Sequence, residues 1–428
     1  MLLRTPLLLY YVPILCLGGF MNLTAEEHLR NRIATIGPIT FAEFMETALF
    51  WPLSGYYTRS LNNPANDFFT APAAHPAFGA LLSLQLEEMW YGLGEPPQFT
   101  VIEPGAGSGL LAQDILQYAQ QLNPAFWQAL RYICIERRNL QQSGYAGYTA
   151  PEWLRAKNLP VRGIVGCILS NELLDVFPVH RVTLKGGSLR ELYVGFRAGR
   201  FESTLGALSH TALSSRLEEE GITLDEGQQV EICLYLEPWV REVAECLEKG
   251  FVLTIDYGHD AKTLYSPQRR NGSLRCYYQH TISSNPYVYV GSQDITSHVD
   301  FTGLVSLGKQ LGLNTLGLKR QSEFLENLGL GILQKMLLER GPELNQQKRD
   351  ANRMGMLEIA RNGGMGEFKS LIQSKGVAQP KITGILGRSS AWEKRLRKLP
   401  LPLLREEHLP LMESKYPHTS TYSASKPT

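Results

Sequence analysis

Apolar positions along this chain follow two periods. Four stretches are apolar almost without interruption: residues 99–103 (FTVIE), 132–136 (YICIE), 163–169 (GIVGCIL) and 251–255 (FVLTI). Runs of this length predict strands covered on both faces. Elsewhere the apolar spacing is helical. It predicts helices over 24–32, 40–49, 78–90, 110–121, 237–249, 301–311 and 323–340, with a strand near 315–320. Phe41, Phe44, Met45 and Leu49 form one such stripe, and Gly250 ends the helix that feeds the last apolar run. In the helix over 78–90, Glu87 and Glu88 are expected to face outward. Strands alternating with helices predict an α/β fold with a doubly wound, mostly parallel, Rossmann-like sheet.

The stretch over about 181–235 breaks that rhythm. Residues 181–185 and 189–196 alternate around Gly186 and Gly187, which predicts a β-hairpin, with a further strand over 200–203. The chain therefore divides into an apolar segment (1–20), an N-terminal helical region (21–98), a sheet domain with an antiparallel insertion (99–345), a C-terminal helical region (346–399) and a Pro-, Ser- and Tyr-rich tail expected to be disordered (400–428). Thr24 with Glu27 makes a capping box that opens the first helix. Residues 1–20 are read as an N-terminal anchor or an over-extended start preceding Met21, and any membrane contact is confined to them.

Composition narrows the function. With 428 residues, 43% hydrophobic and 19% charged, the chain can bury a large core. Its net charge of +1 gives no support to a nucleic-acid partner. The six cysteines form no CxxC pair and read as free thiols in a reducing compartment.

The chemistry begins where the first apolar run ends, at Glu103-Pro104-Gly105-Ala106-Gly107-Ser108-Gly109. A strand, a glycine turn and a helix cradle a polar ligand against backbone amides. Leu110 stands where a dinucleotide loop would carry its third glycine, which disfavours a nucleotide-binding oxidoreductase, and no Gly-Lys-Ser/Thr ending is present for a P-loop. Glu136 ends the second apolar run, where a carboxylate can accept both ribose hydroxyls; a solvated strand end is the plainer alternative. Asn171, Glu172 and Asp175 follow the third run, with helix capping as the alternative. Asp256, Tyr257 and His259 follow the fourth. A metal site there lacks a convergent ligand set, so a substrate pocket is favoured and no metal is expected.

In order, the segments Asp67-Phe68-Phe69-Thr70-Ala71-Pro72, the glycine loop, Asn171 to His180, Asp256-Tyr257-Gly258-His259, and Asp294-Ile295-Thr296-Ser297-His298-Val299-Asp300-Phe301 resemble the MidA family. That family includes the mitochondrial complex I assembly arginine methyltransferase. The likeness spans roughly residues 22–340. Ala106 and Ser108 depart from the Gly-Arg-Gly common at the family's loop, and Ala73 stands where the family usually has Glu. The resemblance implies a class I methyltransferase fold with S-adenosyl-L-methionine held by Glu103, Gly105, Ala106, Gly107, Gly109, Glu136 and Asn171. It also implies a protein acceptor, an arginine in a respiratory-type NADH dehydrogenase subunit. The expected location is then cytoplasmic in a bacterium and the mitochondrial matrix in a eukaryote, with a homodimer left open.

A guanidinium acceptor needs carboxylates to bind it and orient its charge. Glu172 and Asp175 are the candidates, and Asp256 or His259 could receive the released proton. Asp67, Thr70, His180, Asp256 and Tyr257 are the substrate-side candidates. The alternatives are a non-catalytic assembly factor that retains the fold and a small-molecule methyltransferase.

Overall fold

The computed structural model describes residues 23–59, 70–137, 150–279, 281–340, 344–378 and 380–408. The apolar runs become the centre of a seven-stranded sheet. Its strands in chain order are β1 (Phe99–Pro104), β2 (Leu130–Glu136), β3 (Glu152–Arg155), β4 (Ile164–Asn171), β5 (Leu247–Asp256), β6 (Asn314–Arg320) and β7 (Lys369–Lys375). They lie in the order β6-β7-β5-β4-β1-β2-β3. Strands β1 to β5 pair in parallel, and β7 runs antiparallel to both its neighbours.

Alternate residues of the central strands feed separate cores. Val101, Cys167, Leu169 and Leu253 pack into one apolar cluster, while Ile102, Ile168 and Val252 pack into the other. Burial on both faces explains why the sequence runs were uninterrupted. The strand order reverses between β1 and β4, and in such sheets the ligand crevice opens beyond the carboxyl ends of the strands at that point.

The antiparallel insertion is a second sheet of five strands. His180–Lys185, Ser188–Arg197, Arg200–Gly206 and Gln229–Ile232 are joined by the short strand Ile39–Thr40. Gly186 and Gly187 have φ of 60° and 69°, the left-handed pair that a two-residue hairpin turn needs. The helices Ala25–Ile36 and Phe41–Phe50 bury Leu29, Phe44 and Met45 against Val194 and Phe201 of this sheet.

Four expectations change. The helix expected over 323–340 is two helices, Gln321–Leu328 and Leu330–Arg340, broken at Gly329 with φ 114°. The region 346–399 is not purely helical, because β7 lies within it and completes the main sheet. Its polar sequence hid it: Ser370, Gln373 and Ser374 are all buried in the sheet. Glu87 does not face water. It is fully buried, accepting from Asn123 N at 2.9 Å and from Arg395 Nη2 at 2.6 Å, because the helix Ser390–Leu396 covers that face.

The fourth change concerns the tail. Residues 400–408 are docked rather than disordered. Tyr118 Oη donates to Pro400 O at 3.1 Å and Leu404 N donates to Asn352 Oδ1 at 2.8 Å. Arg405 pairs with the buried carboxylate of Asp114, and His408 Nε2 lies 3.2 Å from its other oxygen. Asp114 sits on the helix Leu110–Ala119, directly after the glycine loop. Residues 1–20 and 409–428 lie outside the described residues. No helix among the described residues is long and apolar enough to cross a membrane.

Candidate active site

The crevice at the strand-order reversal opens into a cavity of about 1930 Å³. The glycine loop forms one wall. Gly105, Gly107 and Gly109 have φ of 70°, 58° and 77°, a region costly for residues with a Cβ. At Gly105 an added Cβ would also stand 2.7 Å from Leu173 Cδ1. The loop and the turn after β4 therefore lie against each other, and the positive φ at Gly105 favours glycine there.

Glu136 at the end of β2 closes the loop from the side. Its Oε2 accepts from Gly107 N at 3.0 Å and its Oε1 from Arg137 N at 2.8 Å. The carboxylate is thus held at the cavity edge, and each oxygen keeps a further lone pair for a ligand hydroxyl. Glu103 and Ala106 line the same wall. Glu103 is turned toward Tyr132, whose hydroxyl donates to it at 2.8 Å. Burial, with the charge of Glu136 adding, raises the Glu103 carboxyl to about 8.

The turn after β4 forms the opposite wall. Glu172 has φ 49°, unusual for a residue with a Cβ, and such conformations persist only where surrounding bonds impose them. Three bonds do so here. Glu172 N donates to Ile255 O at 2.8 Å, and the next two amides, Leu173 N and Leu174 N, donate to Asp256 Oδ2 at 3.1 and 2.8 Å. Asp256 Oδ1 takes Tyr257 N at 2.9 Å. Asp256 is fully buried and does not line the cavity. Its expected roles in substrate contact and proton uptake give way to a positioning one, because backbone amides use its carboxylate.

Beside this turn three carboxylates, Glu172, Asp175 and Asp294, line the cavity together. Tyr257 Oη donates to Asp175 Oδ2 at 2.6 Å, and Tyr57 Oη to Asp294 Oδ2 at 3.0 Å. Asn171 Nδ2 donates to Glu172 Oε1 at 3.2 Å. Asp175 Oδ1 and Asn171 Oδ1 are buried without a hydrogen-bond partner among the described residues. Burial comes first in raising Glu172 to about 8, with Asp175 and Asp294 adding to it. Burial also raises Asp175 above the usual carboxylate range, offset in part by the Tyr257 hydroxyl. Orphaned acceptors beside carboxylates that resist ionisation describe a pocket poised for a cation with several N–H donors.

The remaining candidates divide. Thr70 and Tyr257 line the cavity, as does His180, whose Nδ1 lies 2.7 Å from Glu191 Oε1. Asp67 lies outside the described residues. His259 reaches the cavity, but Arg269 Nη2 approaches its Nε2 at 2.6 Å. Burial and then the Arg269 charge lower its pKa. The nitrogen that would take a proton is occupied, so its expected role as a base loses its support. Sequence reasoning missed Tyr57 and Asp294 as site residues. Asp294 opened a motif already singled out, and that placement was the available signal. Among the described residues no three His, Cys, Asp or Glu side chains converge as a metal site.

The glycine cradle, the fixed Glu136 carboxylate and the orphaned Asn171 Oδ1 suit an adenosyl ligand carrying hydroxyls and an ammonium group. Comparison with known proteins agrees. A family described as "Putative S-adenosyl-L-methionine-dependent methyltransferase" matches residues 81–319, more than half of the chain. A crystal structure from Burkholderia thailandensis, described as a "likely methyl transferase" bound to S-adenosyl-homocysteine, superposes with a TM-score of 0.75 at 29% identity. It covers 86% of this chain and 96% of that one. The mouse protein "Protein arginine methyltransferase NDUFAF7, mitochondrial" is 27% identical over 348 residues, 74% of this chain and 77% of its own length. The human protein of the same name is 28% identical over 353 residues, 75% and 77% of the two chains.

Proposed function

We infer that this chain, which belongs to the MidA family of S-adenosyl-L-methionine-dependent methyltransferases, methylates an arginine side chain of a protein. The observation that carries the reading is the acidic wall opposite the glycine loop, where Glu172 and Asp175 share one cavity with the cofactor cradle. A guanidinium offers five N–H donors in a planar fork. The unpaired Asp175 Oδ1 and the Glu172 carboxylate are acceptors that such a fork can bridge. The names of the mouse and human relatives support the same acceptor class.

The cofactor, when bound, supplies an electrophilic methyl group. The loop Gly105 to Gly109, Glu136 and Asn171 would hold it. The rest of the work falls to this chain's own side chains. Glu172 and Asp175 bind the guanidinium and draw its positive charge away from the nitrogen that reacts. Tyr257 fixes the Asp175 carboxylate through its 2.6 Å bond. Asp256 holds the Glu172 turn in place through two backbone amides, Leu173 N and Leu174 N. The nitrogen that gains a methyl group sheds a proton. Glu172, ionised once the guanidinium is bound, lines the cavity beside it and is the carboxylate that takes the proton.

The MidA resemblance extends the reading to a subunit of a respiratory-type NADH dehydrogenase, methylated in the mitochondrial matrix of a eukaryote or the cytoplasm of a bacterium, in support of complex assembly. The test is mass spectrometry of dehydrogenase subunits after incubation with cofactor and either wild-type protein or Glu172→Gln. A methyl mass on an arginine with wild type alone is the expected result. Subunits unmodified by wild type would remove the dehydrogenase acceptor, and a methyl mass placed on another residue type would remove arginine.

A further inference from the structure

A third, smaller sheet borders the cavity. Its antiparallel strands are Arg275–Tyr278, Thr281–Ser283 and Asp294–Thr296. Tyr277 pairs with Ile282 on one side and with Asp294 on the other. Residues directly opposite each other in a sheet point to the same face. Ile282, Tyr277 and Asp294 therefore form one row, and all three line the cavity. Two strand spacings, about 10 Å in all, separate its ends.

The row is graded from wet to dry. Ile282 is 62% exposed, Tyr277 is half-buried and Asp294 is 1% exposed. It thus runs from an apolar lip through an aromatic wall to an acidic floor, where Asp294 joins Glu172 and Asp175. On the opposite face, Tyr278 stacks on Tyr289 with ring centroids 4.3 Å apart, which braces the strand that carries Tyr277. A single exposed isoleucine on a surface needs no explanation. One placed in register with an acid-bottomed cavity wall is different, because it starts a continuous row that leads to the acidic floor.

We propose that this row is the acceptor's entry lane and that it selects a protein arginine with a bulky apolar residue beside it. The inference rests on the arginine reading above. The guanidinium passes the Tyr277 ring, a favourable surface for a cation, and reaches the acidic floor. The side chain of the neighbouring residue covers Ile282 at the mouth. Free arginine and small amines have no group to place there, so the lane favours a peptide.

The test uses synthetic peptides with one central arginine and either Leu or Asn at both flanking positions, assayed by steady-state methylation. Wild type is expected to give a KM about ten-fold lower for the Leu peptide, the effect of covering one apolar side chain, with similar kcat. In Ile282→Asp that preference disappears while kcat and S-adenosyl-homocysteine affinity stay at wild-type values, and Ile282→Leu restores it. Ile282 is exposed, so these variants leave the fold intact. Equal KM values for the two peptides in wild type, or a preference that survives Ile282→Asp, overturns the lane and leaves the arginine reading standing. If wild type transfers no methyl group to any arginine peptide, the arginine reading fails and the lane fails with it.

Discussion

The Tyr257 hydroxyl donates to Asp175 Oδ2 at 2.6 Å and leaves Asp175 Oδ1 buried with no partner among the described residues. One oxygen is thus anchored and the other kept for a ligand. In Tyr257→Phe the carboxylate loses its anchor. The expected result is a fall in kcat/KM of about ten-fold, the worth of one hydrogen bond to a charged group. S-adenosyl-homocysteine binding, read by calorimetry, should not change.

Glu172 is expected to matter more, because it both binds the acceptor and takes its proton. Glu172→Gln keeps the shape and removes both functions. Single-turnover rates should fall by at least about 100-fold, the scale seen when one preorganised electrostatic contact is lost. Turnover at the wild-type rate would refute the role. Cofactor affinity is the control and should stay the same.

Stability should depend on pH with a definite sign. Folding raises Glu172 and Glu103 from 4.5 to about 8. Between those values the folded chain holds protons that the unfolded chain has released, so stability falls as pH rises from about 5 to 8. Thermal unfolding across that window should show a declining Tm, less steep in Glu172→Gln. Binding an arginine peptide at pH 7 should expel about one proton as Glu172 ionises beside the guanidinium. Calorimetry in buffers of different ionisation enthalpy measures this directly, and a buffer-independent heat would contradict it.

On the cofactor side, Glu136 contacts the loop through a single amide, Gly107 N. Glu136→Ala should weaken S-adenosyl-homocysteine binding by about 10- to 100-fold, the range for hydrogen bonds to a charged group. The fold should persist, because Glu136 sits at a strand end rather than in the core.

At the C-terminus, Arg405 neutralises the buried Asp114. Arg405→Ala leaves that carboxylate with His408 alone and should cost about 3–5 kcal/mol of stability. The expected readout is a lowered urea midpoint with an unchanged m-value. A variant as stable as wild type would show that residues 400–408 rest on the helix without securing it.

The four central strands, the glycine loop and the placement of Glu136 beside it were legible in the sequence because each is local: an apolar run, a spacing, a strand end. The acidic pocket was only half legible. Tyr57 and Asp294 are 237 positions apart, and nothing in either neighbourhood announces the other. The Asp256-to-Asp260 segment misled for the opposite reason, since its acids and histidine looked like a site by proximity alone. In the fold Asp256 staples a turn, Asp260 caps the helix Ala261–Leu264 through Thr263 N at 3.0 Å, and His259 is taken by Arg269. Strand β7 was hidden because buried Ser and Gln residues carry no apolar signature.

Strand β7 also has a consequence for how the protein is made. It lies between β5 and β6 but comes last in the chain of the seven. On the ribosome, β5 must wait with one edge unpaired until residues 369–375 emerge, more than a hundred positions later. At synthesis rates of about 5–20 residues per second, that leaves a gap of several seconds or more. An open apolar strand edge is an invitation to wrong pairing. Over that interval the nascent chain is a natural client for a chaperone, and a ribosome stalled before codon 369 would release a protein with its glycine loop formed and its sheet incomplete.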